Sequence, residues 1–258
     1  MERIKVGYLP LYIKLYDDSN PATRVGLDRY SKTLQDMIRA FDIEVVASPT
    51  CRIKPEFEAA IELFHKENVD AIVTQHLAYS PSLESIDALE KASVPLIVLD
   101  TTPDYALLGM AGYQSGIMPN HGIHGVQDMC NLLKRRGIEY YLCVGHAMHS
   151  DVIAQVAGMC RAAAAAKAYK TARVGSVGGS FTGMGDFLVS DEEYREKIGA
   201  EVSYMGAETV REYLPKVTNE EIEREIALDK ANFEFELTDE AAYREAVRSG
   251  LAVRKWAD

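Results

Sequence analysis

The sequence contains no stretch near the roughly 20 consecutive apolar residues that a bilayer-spanning helix requires. It has no excess of basic residues either. Lys and Arg number 28 against 39 Asp and Glu, a formal net charge of -11, which counts against nucleic acid or an anionic membrane surface as the main partner. The four cysteines, Cys51, Cys130, Cys143 and Cys160, form no C-x-x-C pair and lie in apolar surroundings, so they read as reduced, buried thiols of a cytoplasmic protein. Also missing are a G-x-S-x-G elbow, an H-E-x-x-H zinc motif and a G-x-x-x-x-G-K-[ST] phosphate loop. No carboxylate pair stands out for acid–base work, because most Asp and Glu fall on expected helix faces, where solvated charge is the ordinary explanation.

What is present is a regular alternation. Short apolar runs (4–9, 43–47, 69–74, 95–99 and 138–144) are separated by amphipathic stretches (26–41, 54–68, 81–91, 121–136 and 150–167). The runs are apolar nearly throughout, the pattern of strands covered by helices on both faces. Five such repeats predict an α/β fold with a doubly wound parallel sheet of the flavodoxin or Rossmann-like kind. A second, smaller α/β domain is expected to follow, with strands at 172–177 and 201–205 and helices at 208–214, 219–229 and 238–256. The expected division is 1–170 and 171–258. Two strands make a poor sheet, so the second part reads as the start of a domain cut short.

In open α/β sheets ligands bind outside the carboxyl ends of the strands. The segments expected there are Pro10–Asp18, Gln75–Pro81, Asp100–Tyr105 and Gly145–Asp151, which are rich in polar donors and aromatic rings. That mixture suits a polyhydroxylated ligand. Each residue alone is better explained as turn or cap chemistry, with Ser80 and Ser150 as N-cap candidates, and it is their accumulation on one edge that points to a site. The most unusual segment is Asn120-His121-Gly122-Ile123-His124-Gly125. It places two histidines three apart at the opening of a helix, with two glycines that let other groups come close. The positive end of the helix dipole favours neutral imidazole there, able to hydrogen-bond a hydroxyl. Asn120 could equally cap that helix. No third ligand at a suitable spacing supports a metal site on the pair. The glycine-rich loop 178–185 brings Phe181 and Met184 forward as apolar contacts and does not fit a nucleotide motif.

With these residues in view, the order of segments resembles the L-arabinose/L-fucose isomerase family. The resemblance rests on Leu15-Tyr16 after the first strand, the Asn120–Gly125 segment, Val144-Gly145-His146, Arg161-Ala162-Ala163 and Ala172-Arg173-Val174-Gly175. It covers the N-terminal domain and the start of the central domain. It implies metal-dependent aldose–ketose isomerisation, typically with Mn2+, in a homo-oligomer where the N-terminal domain of one subunit reaches its neighbour's sugar site. It further implies substrate contacts from His124, His121, Asn120, Leu15, Tyr16 and Met184. The family's catalytic carboxylates and metal ligands belong to later parts of the chain, so none is assigned here, and this chain alone is expected to be inactive. His121 stands where arabinose isomerases usually carry glutamine, which counts against L-arabinose as the sugar. A sugar-binding α/β module without enzyme activity is the alternative, and a flavodoxin-like or nucleotide-binding domain is a third reading disfavoured by the missing phosphate loop.

Overall fold

The structure is a computed structural model and describes residues 3–106, 113–179, 183–185, 189–234, 236 and 239–258, with backbone alone for 113–116. The chain divides into two compact units, Met1–Lys167 and Ala168–Asp258.

The first unit is built on a five-stranded sheet in the order β2-β1-β3-β4-β5, every pairing parallel. Its strands are β1 (Lys5–Leu11), β2 (Glu44–Ala47), β3 (Ala71–His76), β4 (Leu96–Asp100) and β5 (Tyr140–Val144). This is the flavodoxin-like doubly wound order. Helices α2 (Ala22–Arg39) and α7 (Val152–Tyr169) cover one face, packing Leu34, Ile38, Val156 and Cys160 on Val6, Tyr8, Val73, Ile97 and Cys143. On the other face α3 (Lys54–Lys66), α4 (Ser82–Leu89) and α6 (Gly122–Arg135) pack Phe57, Phe64, Ile86, Met129 and Leu133 on Leu11, Ile72 and Val98. Alternate residues of each strand serve opposite faces, which is why these strands are apolar in continuous runs.

Several local features depart from the sequence reading. β1 and β3 each run two residues beyond the expected end, so Gln75 and His76 lie inside β3 and are buried. Pro10 stays in β1 because its carbonyl, which accepts from Cys51 N–H at 2.9 Å, faces the side where β2 has already stopped. Leu15 and Tyr16 are not in a loop. They belong to a short helix, α1 (Lys14–Ser19), braced by a Lys14–Asp18 ion pair of 2.7 Å. A six-residue helix with no buried residue leaves no apolar period to detect. Helix α5 (Tyr113–Asn120) likewise went unread. Ser80 does not start α4. Pro81 holds the N-cap position, and the Ser82 N–H and hydroxyl donate instead to Asp128 of α6 at 3.0 and 2.9 Å. β5 is an edge strand, and Tyr141, Leu142 and Val144 are exposed rather than covered.

The second unit contains two parallel strands, β6 (Arg173–Val177) and β7 (Glu201–Met205). Between them lies α8 (Asp191–Ile198), which the sequence reading missed. Helices α9 (Ala207–Tyr213), α10 (Asn219–Asn232) and α11 (Glu240–Ala257) follow, with a small core of Val217, Ile222, Ile226, Val247 and Ala252. α10 opens with a complete capping box between Thr218 and Glu221. Trp256 of α11 packs on β6 at Gly175, where a β-carbon would lie 2.6 Å from the ring.

Candidate functional site

The chain changes face between β1 and β3: the helix that follows β1 lies on one side of the sheet and α4, which follows β3, on the other. The crevice outside their carboxyl ends is the expected ligand position in such a fold. The structure brings three segments to it: Tyr12 to Ser19 after β1, Leu77 to Pro81 after β3, and the opening of α6.

The first segment is held by charge. Asp17 accepts from Arg24 at 2.6 Å and from Arg52 at 2.7 Å, and Arg52 also holds Glu56 at 2.6 Å. Glu56 and Asp17 keep the Arg52 guanidinium above its ordinary proton affinity. Arg24 lies 5.6 Å from the centre of the Tyr12 ring. Tyr12 is fully buried against Leu27, Leu77 and Ala78, and burial raises its hydroxyl to about 12. Tyr16 meets Tyr12 edge-on at 6.1 Å and places its hydroxyl 2.9 Å from His121 Nδ1.

The second and third segments interlock through glycine. A β-carbon on Gly122 would lie 2.5 Å from the His76 carbonyl oxygen. One on Gly125 would lie 2.4 Å from His76 Cδ2 and 3.1 Å from the Ser80 nitrogen. Only bare α-carbons let the first turn of α6 seat on the end of β3. His76 is buried, and among the described residues neither ring nitrogen has a hydrogen-bond partner; burial pulls its pKa down to about 3, against a smaller opposing effect of Asp128. The Ser80 and Thr74 hydroxyls are buried and unpartnered in the same way.

Above this seat stand His121, the N-cap residue of α6, and His124 one turn on, their ring centres 4.6 Å apart and nearly perpendicular. Tyr79 lies against His121 at 5.5 Å and donates its hydroxyl to Asp128 at 3.1 Å. The His121 pKa is lowered, first by burial and second by His124. Neutral imidazole was expected here, and these are the causes resolved for it. If His121 Nδ1 carries the proton and donates to Tyr16, Nε2 is left as an acceptor. Among the described residues, two imidazoles, two phenol rings and no unpaired cation make a surface fitted to hydroxyl groups and the apolar side of a small polar ligand.

Asn120 does not cap α6. It is 4% exposed, and its amide holds the loop after β4: Nδ2 donates to the Asp104 carboxylate at 2.7 Å, and Oδ1 accepts from Asp104 N–H at 3.1 Å. Beyond that loop Tyr105 packs on His149 at 4.3 Å and on His146 at 5.4 Å. His146 Nδ1 accepts from Met148 N–H at 3.2 Å, which leaves Nε2 to face the Pro103 carbonyl at 3.4 Å. Ser150 lies two residues before α7, where its hydroxyl accepts from Val152 N–H at 3.3 Å without holding the N-cap position.

The structure therefore gathers Tyr16, His121 and His124 and anchors Asn120 beside them. Leu15 is exposed on α1. Met184 is exposed in the second unit, and Phe181 lies outside the described residues. Sequence reasoning did not single out His76, Tyr79 or Asp128. The pairing of Gly122 with Gly125, one helical turn apart, was the available sign that a bulky neighbour sits against that turn. Among the described residues no group of three His, Cys, Asp or Glu side chains is placed to hold a metal ion. No step is assigned to manganese on this chain. No helix among the described residues is long and apolar enough to cross a membrane.

No protein-family model matches the sequence. The chain is 29% identical over 146 residues to L-arabinose isomerase of Shewanella sp. (strain ANA-3), and equally to that of strain MR-7. The match takes in 54% of this chain but 29% of each relative, so the chain spans less than a third of their length. Among solved structures, a periplasmic solute-binding protein of Actinobacillus succinogenes 130z with bound D-allose aligns with a TM-score of 0.31 at 12% identity, covering 83% of this chain and 65% of that one. A solute-binding protein of Bacillus halodurans C-125 with bound myo-inositol gives 0.29 at 15% identity, covering 98% and 72%. Superpositions this loose transfer no ligand to the chain.

Proposed function

We propose that this chain is the N-terminal part of an aldose–ketose sugar isomerase and supplies one wall of its sugar site. The observation that carries the reading is the convergence of Tyr16, Tyr79, His121 and His124 on the opening of α6, at the carboxyl edge of a doubly wound sheet. The sequence similarity to L-arabinose isomerases supports the enzyme class. In this reading His124 contacts sugar hydroxyls directly, and His121, oriented by Tyr16 and Tyr79, does so through its free ring nitrogen. Leu15 and Met184 are proposed as further contacts, and Asn120 acts by holding the Asp104 loop. The manganese and the proton-transferring carboxylates are proposed to come from sequence outside this chain, in a homo-oligomer where the wall faces a neighbouring subunit.

Incubation of the chain with manganese and aldopentoses or 6-deoxyhexoses is the test of that division of labour. The expected result is no ketose, together with weak sugar binding that His124→Ala reduces by about tenfold, the loss of one good hydrogen bond. Appreciable turnover contradicts the division. Tight, saturable binding by a monomer favours a sugar-binding module instead.

A further inference from the structure

His121, His124 and Asp128 follow one another along a single face of α6, at steps of about one helical turn. The first two form the candidate site. Asp128 is a partly buried carboxylate, and among the described residues no lysine or arginine pairs with it. Its partners are three donors from the chain that follows β3. Oδ2 accepts from the Tyr79 hydroxyl at 3.1 Å and from the Ser82 N–H at 3.0 Å, and Oδ1 accepts from the Ser82 hydroxyl at 2.9 Å.

Two of these contacts belong to α4. Pro81 holds the N-cap position of that helix and has no side-chain acceptor, so Asp128 supplies from α6 what a capping residue would give. The positive end of α4 favours a carboxylate there. The third contact serves no cap. It reaches back to Tyr79, whose ring lies 5.5 Å from that of His121 at a tilt of 34°. An ionised carboxylate only accepts, so Tyr79 donates, and its ring is held at the hydroxyl as well as at the backbone. His121 thus meets two anchored phenols from different elements: Tyr16 of α1 at Nδ1, and Tyr79 against its ring.

We propose that Asp128 is a positioning residue of the site: by holding Tyr79 it fixes the plane of the His121 ring, and with it the direction of the ring nitrogen offered to a ligand. Asp128 itself touches no ligand. The proposal rests on reading the opening of α6 as a sugar-contacting wall, but its first readout needs no sugar. Asp128→Ala removes all three contacts, Tyr79→Phe only the contact to Tyr79, and Ser82→Ala only the one at 2.9 Å. Asp128→Asn keeps the arrangement. The Ser82 N–H needs an acceptor and turns the amide oxygen to the place of Oδ2, where Tyr79 also donates. Asn and Ala both remove the charge, so a difference between them reports the contact and not the field.

The test follows the His121 ring signals by NMR without sugar, then measures affinity for an aldopentose by titration. Asp128→Ala and Tyr79→Phe should each shift the His121 signals and weaken binding about fivefold, the worth of one modest hydrogen bond. The double variant should bind no more weakly than Asp128→Ala, because both changes act through one contact. Asp128→Asn should restore the His121 signals and bring affinity to within about twofold of the parent. Ser82→Ala should lower the urea midpoint and leave both readouts in place. His121 signals unmoved in Tyr79→Phe overturn the proposal, even if Asp128→Ala does not fold. So do an Asp128→Asn variant as impaired as Asp128→Ala, effects of Asp128→Ala and Tyr79→Phe that add, or sugar affinity unchanged while the ring signals move. Ring shifts as expected in a chain that binds no sugar support the positioning of His121 and count against the sugar wall alone.

Discussion

The Tyr16 hydroxyl stands 2.9 Å from His121 Nδ1, although the two residues are 105 positions apart, and that single contact joins the segment after β1 to the opening of α6. Removing it with Tyr16→Phe is expected to cost about 1 kcal/mol of stability, the usual net value of such a bond. The more specific consequence lies in the ring. Without its partner His121 should lose its single tautomer, visible as averaged ring-nitrogen shifts in NMR, while His65 at the C-terminal end of α3 stays unchanged.

The glycines of α6 make a second prediction. Gly122→Ala forces a β-carbon against the backbone carbonyl of His76, and Gly125→Ala forces one against its ring. Helix propensity alone would favour alanine by about 1 kcal/mol, but overpacking of this kind costs about 1–3 kcal/mol. Both variants should therefore unfold at lower urea concentration than the parent. Gly158→Ala in α7, where a β-carbon meets nothing within 4 Å, should unfold at higher concentration.

His76 predicts a pH dependence. Its pKa falls from 6.5 in the unfolded chain to about 3 when buried, so the unfolded state binds the proton more tightly. Stability is then complete above pH 6.5 and declines as the pH falls toward 3, by up to about 1.4 kcal/mol per pH unit. His121, also lowered, acts in the same direction. Urea midpoints measured from pH 7.5 to 4.5 should fall in the parent and fall less steeply in His76→Leu. Parallel profiles would refute the assignment.

The α/β class, the five-strand parallel sheet and most element positions were legible because each buried strand and amphipathic helix carries its own apolar period. α8 was not, since Asp191 to Ile198 buries no residue. Its signals were terminal instead: Ser190 capping Glu193 N–H, an acidic first turn, and Gly199 with a positive φ of 93° closing it. At the site, the histidine pair and its glycines could be picked out from spacing. The capping alternatives for Asn120 and Ser80 did not hold: a cap and a long-range anchor use the same residue types, and Asn120 is an anchor, whereas the Ser80 hydroxyl is buried without a partner among the described residues. Only the fold shows that Asn120 holds Asp104 and that Asp128, 46 positions away, binds Ser82.

Asp17 is the anchor of α1, with its side chain 15% exposed between two arginines. Asp17→Ala leaves Arg24 its Asp28 contact at 3.4 Å and the Tyr12 ring, and leaves Arg52 its Glu56 contact. A loss of about 1–2 kcal/mol is expected, below the value for a fully buried pair because both arginines keep a second partner. Limited proteolysis should then cut first between Lys14 and Arg24.

The central claim is that the opening of α6 touches sugar, and the direct measurement is the ring NMR signals of His121 and His124 during titration with aldopentoses and 6-deoxyhexoses. The account predicts saturable shifts at both rings, abolished by His124→Ala for the remaining His121 signal or weakened at least several-fold, with His65 unmoved. Sugar binding that leaves both rings unmoved, or no binding by any of these sugars up to molar concentration, would contradict it.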